Sequence, residues 1–158
     1  MIHDSSEWRE ARDAQLLEWF GGDRSAVEFL LAVSSICEVW DDLVDKDKEI
    51  SRETLDSVFF DALVTLPTNE FFNRHKSFFI PLIIQGINAW QDSVVLEKGG
   101  PNDRAYALTL RLFLVQLAPM IVLLQRGKEA ARKVSVEMWK AATCHDDPLE
   151  WIKGGSHA

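Results

Sequence analysis

Four carboxylates open the question of chemistry in this chain. Glu38, Asp41, Asp42 and Asp45 stand at i, i+3, i+4 and i+7, a spacing that brings all four to one face of a helix. Like charges so placed repel, each neighbouring pair costing an isolated helix about 0.2–0.5 kcal/mol. Basic side chains, solvent, proton uptake or a divalent cation must offset that cost. Mg2+ is the cation such a face suits, because it takes carboxylate oxygens and keeps room for water and a substrate phosphate. A stripe that simply faces water is the plainer alternative, since a helix C-terminal end disfavours acids only mildly.

Two further stretches bear on that choice. Gln85, Asn88 and Asp92 lie at i, i+3 and i+7 inside the apolar run from Phe78 to Leu96. Arg104 and Arg111 are seven apart, with Arg111 set among Leu110, Leu112 and Phe113. An arginine in apolar company needs an anionic partner, and its planar fork suits carboxylate or phosphate equally. Polar stripes on three otherwise apolar helices lead to the expectation of a shared polar cavity at the centre of a bundle.

The elements that would position these groups are all helical. Glycine and proline cluster at Gly21-Gly22, Pro67, Gly99-Gly100-Pro101, Gly127, Pro148 and Gly154-Gly155, and the segments between them carry helical periodicity. The pattern predicts helices over about 5–20, 24–46 behind an Asp23 cap, and from a Ser51 cap through Leu66. Others follow over 69–98, 103–126 and 128–142, with a short turn opening at Asp147-Pro148. Kinks are expected near Pro81 and Pro119, where the ring meets the preceding turn. In the third helix, Leu55, Val58, Phe59, Ala62, Leu63 and Leu66 form one apolar stripe. The second is apolar nearly all round from Ala26 to Val44 and is expected to be buried. The fold expected is all-α, one helical bundle over residues 1–158.

Composition narrows the function classes. The 158 residues hold 17 Lys+Arg against 25 Asp+Glu, a net charge of -8. That balance disfavours nucleic acid or an anionic membrane as the main partner, since both require clustered bases. Cys37 and Cys144 make no disulfide framework or zinc spacing, and Cys37, inside an apolar helix, is expected to be a buried, inert thiol. The opening residues Met1-Ile2-His3-Asp4 lack the features of a signal peptide, which makes a cytoplasmic setting the expectation. The apolar run from Ala105 to Leu124 contains Arg111 and Gln116, and is expected to be a core helix rather than a membrane span. His75 in a basic opening turn is expected to be solvated, His145 to lie in a cap before Pro148, and the six tryptophans to pack in core or interface.

The string Asp41-Asp42-Leu43-Val44-Asp45 is a DDxxD motif. With the apolar helix before it, Asp47 after it and Arg52 beyond, it resembles the first aspartate-rich helix of trans-isoprenyl diphosphate synthases. The resemblance covers about 18 residues, and the chain has no second DDxxD. It implies an isoprenoid-synthase-like all-α fold in which Asp41, Asp42 and Asp45 hold Mg2+ bridging a diphosphate-bearing small molecule, and Arg52 contacts the phosphates. Glu38, Gln85, Asn88 and Asp92 would then stand around the metal and substrate, with Arg111 as a diphosphate or carboxylate partner. A homodimer that completes the site is one arrangement the sequence allows. Two alternatives use the same residues. All-α nucleoside triphosphate pyrophosphohydrolases pair ExxE and ExxD motifs, for which Glu38–Asp41 and Glu53–Asp56 are the nearest analogues, although in a hairpin turning near Ile50 it is Asp61 that faces Glu38. The third possibility is a non-enzymatic helical interaction module whose acidic stripe is a docking face or a solvated surface.

Overall fold

A computed structural model of the chain describes residues 6–46, 48–142 and 148–153. The fold is all-α, and among the described residues there is no strand. The chain forms two compact units, Met1–Lys76 and Ser77–Ala158.

The first unit is built on α1 (Ser6–Trp19) and α2 (Arg24–Asp45), followed by α3 (Arg52–Phe60), a π-helical turn (Asp61–Thr65), a helical turn α4 (Leu66–Thr68) and the start of α5 (Glu70–Leu96). Asp23 caps α2 as expected, its carboxylate accepting from the Ala26 amide at 3.2 Å. Ser51 caps α3 in the same way through the Thr54 amide at 3.1 Å. The N-terminal half of α2 is the core of this unit: Ala26, Val27, Phe29, Leu30, Ala32 and Val33 are buried. Phe29 packs against Phe71 and Phe72, with ring centres 5.8 and 5.5 Å apart. Asn69 is buried for a stated purpose. Its side-chain amide donates to the Ser25 carbonyl at 2.9 Å while its oxygen accepts from the Phe72 amide at 2.8 Å, so one residue caps α5 and ties it to the start of α2.

The second unit comprises the rest of α5 with α6 (Pro101–Arg111), α7 (Phe113–Arg126), α8 (Lys128–Ala142) and α9 (Pro148–Lys153). Helix α7 supplies the core, burying Val115, Leu117, Ala118, Ile121 and Val122, and packs along α8, which buries Ala131 and Val134. Arg104 holds α9 by donating to the Ile152 carbonyl at 2.7 Å, and also donates to the Gly99 carbonyl at 2.8 Å.

Three departures from the sequence expectation have local causes. The helix expected over 103–126 is two helices, because Leu112 leaves helical geometry at φ -81° and ψ 44°. The Pro101–Arg126 stretch is apolar and long enough to cross a membrane by composition. Helical geometry is interrupted within it at Leu112, between parts of 11 and 14 residues that are about 16 and 21 Å long. The non-helical dihedrals of α5 fall at His75, φ -121° and ψ 15°, and not beside Pro81. A proline burdens the turn before it, and His75 stands upstream of that turn. His75 is half-buried rather than solvated, its ring 4.9 Å from Phe71, because the apolar turn it opens draws it inward.

Candidate functional site

The acidic stripe lies where the sequence places it. Asp41, Asp42 and Asp45 are half-exposed in the last two turns of α2, and Glu38 is exposed one turn earlier. Helix α2 ends at Lys46, in the left-handed region at φ 59° and ψ 31°, whose amide donates to the Asp42 carbonyl at 3.0 Å. The Asp42 carboxylate receives Lys48 at 3.4 Å, and Ser34 donates to Glu38 at 3.0 Å. Basic side chains and water therefore share the task of offsetting the repulsion. Burial, and then the nearby Glu38 and Asp41 carboxylates, push the Cys37 thiol up to about 11, which marks this face of α2 as electronegative.

Among the described residues, no three His, Cys, Asp or Glu side chains come together as a group that could hold a metal ion. Arg52, the residue the resemblance assigns to phosphate, lies 3.6 Å from Asp56 across one turn of α3, with both side chains largely exposed.

The other candidates stand in the second unit. Gln85, Asn88 and Asp92 are all exposed on α5, so their stripe faces solvent. Arg111 does find an anionic partner, and it is a carboxylate of its own unit: its guanidinium donates to Glu97, with side chains 19% and 24% exposed. His145, Asp146 and Asp147 lie outside the described residues.

Sequence reasoning missed the segment from α3 into the π-helical turn. Its expected apolar stripe is only half realised: Leu55, Val58, Ala62 and Leu66 are half-buried, whereas Phe59 and Leu63 face water. Phe60 and Val64 are exposed beside them, while the polar Asp61 and Thr65 turn toward α2. The cause is Pro67. Its ring excludes an α-helical bond to the Leu63 carbonyl, and the chain widens instead, the Leu66 amide bonding back five residues to Asp61. Thr68 completes the turn by donating its hydroxyl to the Val64 carbonyl at 2.6 Å. The wider turn places Asp61 and Thr65 in a cleft of about 650 Å3 shared with Glu38, Ser34, Arg9 and Arg12. Asp61 and Glu38 thus line one cleft, in keeping with the hairpin register the sequence predicts. A second cleft, of about 750 Å3, has Phe60 and Val64 on one side and Glu28, Asn69 and Glu70 among its polar walls. The signal was Pro67 within a helical pattern. Comparison with protein-family models, with curated proteins and with solved structures finds no match to this chain.

Proposed function

We propose that this chain is a helical interaction module, acting by surface recognition rather than by catalysis. One observation carries this: the segment α3 to Val64 is turned with its large apolar residues outward, Phe59 57%, Phe60 60% and Leu63 71% exposed. Soluble monomers seldom leave clustered apolar side chains uncovered, and such patches commonly mark contact surfaces. Two of the polar candidates support the same reading, because Arg111 serves Glu97 and the α5 stripe is solvated.

A diphosphate site of the isoprenoid-synthase type is the second reading, favoured by the clustering of Asp41, Asp42 and Asp45 on one half-exposed helix end. Calorimetric titration of Mg2+ into the protein, alone and with inorganic pyrophosphate, separates the two. The interaction reading expects no pyrophosphate-dependent heat, in wild type or in Asp42→Ala. Metal-dependent pyrophosphate binding that disappears in Asp42→Ala overturns it and restores the aspartates to a binding role.

A further inference from the structure

The uncovered apolar surface coincides with the greatest concentration of charge in the molecule. Residues 38–64 contain nine acidic residues against three basic ones, a net -6 of the chain's -8. Two of the bases are already engaged, Lys48 with Asp42 and Arg52 with Asp56. The same span exposes Leu43, Val44, Phe59, Phe60, Leu63 and Val64. Phe59 with Leu63, and Phe60 with Val64, stand four residues apart in two adjacent rows, so a ridge of large apolar groups lies within an acidic surround. The cleft behind Phe60 and Val64 repeats this chemistry at the scale of one side chain, with Asp23, Glu28 and Glu70 against the single base Arg24 in its lining. Such a cleft suits the aliphatic stem and cationic head of a lysine or arginine.

On the interaction reading above, we infer that the occupant of this surface is a basic amphipathic helix of another protein. An apolar stripe at i, i+3/i+4, i+7 would cover the Phe59–Val64 ridge, and flanking Lys/Arg would meet the acids. A second copy meeting this face with the same face sets net negative against net negative. An anionic bilayer is repelled for the same reason.

The test uses the full chain and fluorescently labelled 18-residue helical peptides of Leu and Lys in amphipathic order. Controls are the same composition scrambled and a Leu/Glu counterpart of the same pattern. The ordered Leu/Lys peptide is expected to bind at least about ten-fold tighter than either control, and to weaken as salt rises. Phe60→Ser should lose about ten-fold or more. So should the charge variant Asp45→Asn/Glu49→Gln/Glu53→Gln, which leaves the apolar ridge intact; circular dichroism verifies that both variants fold. Equal binding of the scrambled or the acidic peptide overturns the basic-helix assignment while leaving the docking surface in place. Binding of no peptide, with wild type and Phe60→Ser both monomeric in sedimentation, overturns the interaction reading itself. Self-association that Phe60→Ser abolishes, or preferential binding to phosphatidylserine vesicles, replaces the partner helix with a second copy or a membrane.

Discussion

Removing the charge of Glu97 tests whether Arg111 is a structural or a ligand-binding group. The two side chains are 19% and 24% exposed, between the fully buried and the surface case. Breaking a buried pair by deleting one partner costs about 3–5 kcal/mol, because the other charge is stranded, and a surface pair is worth about 0–1 kcal/mol. The intermediate setting places Glu97→Gln at about 2 kcal/mol of lost stability, a fall in melting temperature of about 4–8 °C for a chain of this length. Arg111→Met should cost about the same, since it strands the carboxylate. The double variant should recover part of the loss, giving a favourable coupling of about 1 kcal/mol or more in a double-mutant cycle. Thermal and urea unfolding of the four proteins supply these values. Additive losses, or a Glu97→Gln protein that melts with the wild type, would refute the structural role. So would a Glu97→Gln protein that binds pyrophosphate more tightly than the wild type, since Arg111 would then have been released to phosphate.

Three further outcomes follow from local geometry. A methyl group at Gly86 would overlap the Phe113 ring, so Gly86→Ala should destabilise by about 1–3 kcal/mol in urea unfolding despite the better helix propensity of alanine. Lys46 holds the left-handed cap of α2, so Lys46→Gly should raise stability by about 0.5–1 kcal/mol in the same assay. Burial and the neighbouring carboxylates raise the Cys37 thiol to about 11 from its usual 9, so the folded thiol stays protonated where the unfolded one ionises. In a Cys144→Ser background, a thiol reagent at pH 8 should label Cys37 about a hundred-fold more slowly folded than in urea. The stability this burial contributes is fully present below pH 9 and is lost as pH rises from about 9 toward 11.

Most of the scaffold was legible in the sequence because its signals are local. Asp23 and Ser51 each satisfy an amide three residues on, and such caps require no knowledge of the rest of the fold. The burial of α2 was legible only in part: the apolar run from Ala26 to Val44 predicts a buried helix, whereas Leu43 and Val44 at its end are exposed, and Glu28 and Glu38 along it face water. Leu112 was opaque for the opposite reason: a leucine amid leucines carries no breaker chemistry that the sequence could show. The candidate site was legible in its spacing but not in its partners. Helical periodicity places Asp41, Asp42 and Asp45 together, but says nothing of whether carboxylates converge or splay. Nor could it reveal that Arg111 meets Glu97, fourteen residues earlier, or that Arg52 turns to Asp56. Leu63 was misplaced because the π turn before Pro67 interrupts the helical phase, and counting by 3.6 residues assumes that phase constant. Phe59 lies in regular α3 before that turn, at the edge of the stripe set by Leu55 and Val58.

That phase shift gives the surface an unusual genetic vulnerability. A π turn carries one residue more than the α turn it replaces, so the orientation of Phe59 and Phe60 is set by residue number as well as by residue identity. Deleting Ala62 would let an α turn take the place of the π turn, which already absorbs the extra residue, so the aromatic pair would keep its direction. A deletion within α3 finds no such spare residue and turns its two sides about 100° against each other. Over generations, this face should therefore tolerate conservative exchange of its apolar residues, and loss of one residue from the π turn, far better than deletion between Arg52 and Phe60.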